Sequence, residues 1–377
     1  MEGIIILLLL PFTLQQEIEF RINEKLSTDN HFFQLWNDLV SLQSRQLDEH
    51  SDDLLSVSSL SSLSSCTRIP SRPDHVDALR PSDISIYADL GHLSTFCRHD
   101  MTHLLKGDLD SCGHHSSSSS LPTLDKFIRV FNPNLTVVDV HRKKGETLTS
   151  QVQRIAQEMR QIPGFEDKWK LIAILPNIQD GEASETGQAA VEVLSAVENL
   201  TESLPRKTLI VVVRNSGKGI WRDASHAHSA CQIMLDRWKK YVDFNMNTVW
   251  EQVDMIVQKN FRSAEFSVEI LPLLNEASLA QLPNSTDLSA LGYDCAHWSE
   301  RGLSLVHESI WNELLTSASL RTKEFRPIHN QLICPDPRCP FIRTASNSAM
   351  KGRDTLTKEK AFGSNFSSIR FIDDDIA

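Results

Sequence analysis

The chain has no long basic cluster. Its 38 Lys and Arg stand against 49 Asp and Glu, a net charge of −11, whereas nucleic-acid affinity is built largely from cations that neutralise phosphates. No nucleic acid is therefore expected as a partner. There is no C-x-x-C pair among the seven cysteines at 66, 97, 112, 231, 295, 334 and 339. A zinc knuckle has no ligand framework here, and disulfides are the expected use of these residues in an exported chain. The odd count leaves at least one thiol unpaired within the chain, and spacing alone does not say whether Cys334 closes on Cys339 or tethers the tail to the body. Beyond the amino-terminal block no hydrophobic run reaches spanning length, so no transmembrane anchor is expected.

What is present is an ordinary globular balance. With 40% hydrophobic and 23% charged residues, 377 residues can bury a sizeable core in one large domain or two modest ones. Gly3 to Phe12 is a compact apolar block, too short to span a bilayer and suited to a signal-peptide core. Its basic flank is missing, since Glu2 is the only charge ahead of it. Residues 1–16 are expected to be a signal peptide. Four sequons, at Asn134, Asn199, Asn284 and Asn365, fit an exported glycoprotein, secreted or extracellular, with peripheral membrane association as a variant of that placement.

The rest divides by composition. Residues 17–69 read as amino-terminal helices, carried by Ile18, Ile22, Leu26, Phe32, Phe33, Leu35, Trp36, Leu39 and Leu42, followed by a Ser-rich linker. Residues 70–350 form the main domain and 351–377 a polar tail. Within the main domain, apolar runs at Asp83 to Gly91, Leu135 to His141, Lys170 to Pro176, Lys207 to Asn215 and Ala264 to Leu271 alternate with helical patterns. Leu209 to Val213 is uninterruptedly apolar, as strands covered on both faces are. Five strands alternating with helices predict an α/β fold, a three-layer αβα sandwich around a five-stranded, mainly parallel sheet.

Two stretches carry candidate chemistry. The first strand stops at Gly91, and Ser94 follows in the loop; it is either a nucleophile at the carboxyl edge of the sheet or a turn residue. Asp294 stands three residues before His297, just ahead of a closing helix that follows Ser299. An aspartate so placed can orient an imidazole through its Nδ1 proton and leave Nε2 to take a proton from a hydroxyl; the alternative is a helix cap made by Asp294 or Ser299. His99 and His103, near His92, His114, His115, Cys97 and Cys112, have metal-ligand spacing, but solvated histidines in a surface loop are the expected reading, with no metal and no cofactor.

Taken in order, Ala78-Leu-Arg-Pro-Ser-Asp-Ile84 with its strand and loop, Phe131-Asn-Pro-Asn-Leu135, Trp169-Lys-Leu-Ile172, Asp294-Cys-Ala-His297 and the run from Cys334 through Phe341-Ile-Arg-Thr344 to Asn347 and Met350 resemble the membrane-associated phospholipase B group of the GDSL, or SGNH, hydrolases. The resemblance implies hydrolysis of phospholipid acyl esters at a lipid surface. It also implies a Ser-Asp-His triad, an oxyanion hole built from a glycine and an asparagine, and no cofactor. Asp294 and His297 match the family pattern. Leu93 occupies the nucleophile position, with Ser94 one place later as a displaced candidate nucleophile. Gln179 stands where the family has its oxyanion asparagine, Asn177 is a second candidate donor, and the glycine block is cut down to a segment ending at Gly145. Losing one oxyanion donor costs roughly 10²- to 10³-fold in rate, and losing the serine on the order of 10⁶-fold. The expectation is a phospholipase B-like chain that is catalytically impaired or inactive; the alternative is an active phospholipid or lysophospholipid esterase using Ser94, Asp294 and His297.

Overall fold

A computed structural model describes residues 24–50, 57–67, 72–93, 95–97, 112–114, 121–140, 146–176, 188–215, 218–236 and 246–349. Five parallel strands form the central sheet: β1 (Ile84–Gly91), β4 (Thr136–Val137), β5 (Trp169–Leu175), β6 (Thr208–Asn215) and β7 (Phe266–Leu274), in the order β4-β1-β5-β6-β7. Between β1 and β4 the short strands β2 (Thr95–Cys97) and β3 (Cys112–His114) pair antiparallel. A further parallel pair, β8 (Glu276–Ala277) and β9 (Glu324–Phe325), flanks the carboxyl side.

Side chains alternate along each strand, so successive residues feed opposite faces. Ile172, Ile174, Ile210 and Val212 pack with Val152 and Ile155 of one helix, α4 (Leu148–Arg160), Val197 of α5 (Gln188–Ser203) and Val253 of α8 (Met246–Asn260). Leu171, Ala173, Leu209 and Val211 feed the other face. There they meet α1 (Asn30–Glu49), α2 (Val57–Ser64), α3 (Leu124–Phe131), α6 (Lys218–Ala227), α7 (Ser229–Leu235) and the closing helix α9 (Glu300–Leu315). This is a three-layer αβα sandwich, and its sheet is wholly parallel. Between β6 and β7 the described residues form three helices, α6, α7 and α8.

The serine-rich stretch carries more structure than its composition announces. Val57–Ser64 is helical, Leu63 is fully buried, and Cys66 is bonded to Cys334. At the amino edge of the sheet, the run from Ile342 to Asn347 acts as a clasp. Thr344 Oγ1 donates to Asp77 at 2.5 Å, Asn347 Nδ2 donates to the Asp77 and Ile342 carbonyls, and Ala345 N donates to Glu269 at 2.9 Å.

The order β4-β1-β5 places a topological switch at β1, where connections leave the sheet in opposite directions. The crevice beyond the carboxyl ends of the strands at such a point is the usual ligand site of open α/β sheets. Gly91 and Leu175 are register partners there.

Candidate active site

Gly91 ends β1 in the left-handed region, φ +69°, and a Cβ there would lie 2.1 Å from the Leu175 carbonyl oxygen. Only glycine fits this turn. Its N–H donates to Gln151 Oε1 of α4 at 3.0 Å, and the next N–H, of His92, donates to the Leu175 carbonyl at 2.8 Å. Leu93 is fully buried in the core. His307 of α9 spans from the loop to α3. Its Nδ1 accepts from Leu124 N at 3.4 Å, which leaves Nε2 as the protonated nitrogen that donates to the Leu93 carbonyl at 3.1 Å.

On the other side of the crevice, Asp294 and His297 come together. Asp294 Oδ2 accepts from His297 Nδ1 at 2.5 Å, while Oδ1 accepts from the Ala296 and His297 backbone N–H groups at 3.0 and 3.1 Å. Burial by itself would raise the Asp294 carboxyl. The charge of a protonated His297 and these three hydrogen bonds outweigh it and hold the carboxyl well below the usual carboxylate range. Asp294 is no helix cap; that place belongs to Ser299, whose Oγ accepts from Gly302 N at 3.1 Å. An imidazole fixed through Nδ1 in this way can accept a proton at Nε2 and return it.

Among the described residues, an imidazole stands against His297. The rings of His92 and His297 stack with centroids 5.7 Å apart and 23° between their planes. His92 is largely buried, with 8% of its surface exposed, so the loop after β1 presents a second histidine at the face of the first. Ser94, Asn177, Gln179 and Gly145 lie outside the described residues, as do His99, His103 and the sequon at Asn365. Of the other sequons, Asn134 and Asn284 are exposed, whereas Asn199 lies within α5 with its amide donating to the Ser195 carbonyl at 2.7 Å.

Residues that sequence reasoning did not assign to the site hold its loop in place. Trp36 Nε1 of α1 donates to the Tyr293 carbonyl at 3.2 Å, and Gln43 Nε2 donates to the Leu288, Leu291 and Gly292 carbonyls at 2.9 to 3.2 Å. Trp221 Nε1 of α6 donates to the Ala296 carbonyl at 3.2 Å. Cys295, between the aspartate and the histidine, is bonded to Cys231 of α7. Its φ is +60°, a conformation that costs a non-glycine residue roughly 1–3 kcal/mol. Trp36, Gln43 and Trp221 carried no motif, and Trp36 and Gln43 lie about 250 residues from their partners. Among the described residues, no three His, Cys, Asp or Glu gather as a metal site, and no helix is long and apolar enough to cross a membrane.

The chain is 23% identical over 322 residues to the protein named phospholipase B1, membrane-associated, of Rattus norvegicus, a match covering 73% of this chain and 22% of that protein. The protein of the same name from Homo sapiens is 23% identical over 329 residues, with 74% and 22% covered. For the one from Mus musculus the values are 24% over 353 residues, with 77% and 24% covered. The chain thus spans less than a quarter of the length of these curated relatives. No family model and no solved structure matches it.

Proposed function

We propose that this chain is a phospholipase B-like protein of the GDSL, or SGNH, type. In this reading it keeps the acid–base half of an ester-hydrolysing site and has lost the attacking hydroxyl. The observation that carries the proposal is the pairing at His297. An aspartate holds one face of its proton chemistry at 2.5 Å, and the neighbour from the nucleophile loop is His92, while Leu93 is sealed into the core. Asp294 and His297 are the residues taken to retain their roles, orienter and general base. A site built this way binds acyl-ester lipid at the crevice beyond β1 and β5 and turns it over poorly or not at all. Disulfides at Cys66–Cys334 and Cys231–Cys295 favour an oxidising compartment and fit an extracellular protein, with glycans at Asn134 and Asn284.

A second reading is favoured by the intact couple itself. Asp294 and His297 are arranged for proton transfer, and an active esterase would use Ser94 as nucleophile and Asn177 or Gln179 as oxyanion donor. Purified protein assayed on lysophospholipid and short acyl esters, beside a His297→Ala variant, separates the two. The proposal expects no turnover above the variant. Turnover that disappears in His297→Ala, with organophosphonate labelling that disappears in Ser94→Ala, establishes the second reading instead.

A further inference from the structure

Cys295 is the one residue inside the Asp294–His297 turn, next to the aspartate, whose backbone is left-handed. The carboxylate of Asp294 reaches around it to the N–H groups of Ala296 and His297, so the direction in which His297 leaves the turn depends on the φ of Cys295. The bonds from α1 and α6 grip the residues on either side, through the carbonyls of Gly292, Tyr293 and Ala296. On Cys295 itself the backbone N–H donates to the Gly292 carbonyl at 3.0 Å, and the disulfide to Cys231, a fully buried residue of α7, grips the side chain. A non-glycine residue released from such a restraint favours the right-handed or extended regions.

We propose that the Cys231–Cys295 disulfide is the positioning element of the Asp294–His297 couple, so that the site is assembled only while this pair is oxidised. The inference rests on reading that couple as the proton-transfer half of the site. Reduction by a dithiol breaks the sulfur–sulfur bond; two electrons and two protons pass to Cys231 and Cys295, which become thiols, and the dithiol closes to its own disulfide. Cys295 then relaxes from the left-handed region, and the imidazole of His297 turns away from Asp294.

The test reads the couple directly in the full-length oxidised protein. In the wild type, the His297 Nδ1 proton gives a far-downfield resonance, and the Asp294 carboxyl carbon titrates below the ordinary carboxylate range. In Cys231→Ala/Cys295→Ala the resonance is lost and the titration moves up. In Cys231→Ala/Cys295→Gly both signatures return, because glycine takes φ near +60° without a restraint. Removing the Cys66–Cys334 bond, by Cys66→Ala/Cys334→Ala, leaves them in place. Dithiothreitol added to that last variant, read on the same resonance, decides the matter if the first variant does not fold. A signature that survives loss of the Cys231–Cys295 bond overturns the proposal, as does a glycine variant that folds and fails to restore it. Neither reading involves turnover, so the result stands apart from whether the chain hydrolyses esters.

Discussion

At the scale of single residues, the loop after β1 allows little variation. Gly91→Ala must rotate out of φ +69° and push a methyl group into the Leu175 carbonyl. A loss of about 3 kcal/mol or more is expected in denaturant unfolding, together with weakened stacking between His92 and His297. A second residue-level prediction concerns Asp83. Burial raises its carboxyl from 3.8 to about 6, against the lowering effect of the Arg80 backbone N–H and the Arg80 charge. A carboxyl whose folded value lies above its unfolded one penalises the fold once ionised. The penalty is full above pH 6, shrinks as pH falls through 6, and is gone below about 3.8. Asp83→Asn is thus expected to stabilise the protein by about 1–3 kcal/mol at pH 8 and by nothing measurable at pH 3.5. Unfolding midpoints of the two proteins across that range check it, and equal midpoints at pH 8 would count against the assignment.

At the scale of elements, α1 belongs to the site's scaffold as much as to the core. The face carrying Phe32, Trp36 and Leu39 is buried, and Gln43 projects from the same helix to three loop carbonyls. Gln43→Leu keeps the apolar volume and removes the donor, taking one hydrogen bond from each of three loop carbonyls. The expected cost is about 2 kcal/mol, with the larger consequence being looser backbone at Leu291 and Gly292, seen as faster amide exchange from Gly292 to His297. His307 of α9 plays the equivalent part on the other side of the crevice. Its replacement by Phe deprives the Leu93 carbonyl and the Leu124 N–H of a shared partner and is expected to cost about 2–3 kcal/mol.

At the scale of the whole molecule, the Cys66–Cys334 bond joins positions 268 residues apart. It therefore ties α2, and through it the approach to β1, to the carboxyl segment. Cross-links that close long loops restrict the unfolded chain most, and Cys66→Ala/Cys334→Ala is expected to lose about 3–5 kcal/mol. Its unfolding midpoint should fall while the His297 resonance stays where it was. The clasp of Thr344, Ala345 and Asn347 on Asp77 and Glu269 closes the amino edge of the sheet, the end opposite the crevice. A run first noticed for its family likeness is thus accounted for by structure rather than chemistry.

Much of this was legible in the residues. Uninterrupted apolar runs such as Leu209 to Val213, alternating with helical patterns, determined a doubly covered parallel sheet, because burial on two faces leaves no place for polar alternation. The pairing of Asp294 with His297 was local, three residues apart, and local geometry travels with sequence. What tertiary structure alone decided was which distant groups converge on that pair: His92 against the imidazole, Trp36 and Gln43 on the loop, Cys231 on Cys295, and a helix inside a serine-rich stretch held by Leu63 and Cys66. Contacts across some 60 to 270 residues are set by how layers pack, and packing depends on the summed burial of whole elements, which no single spacing encodes.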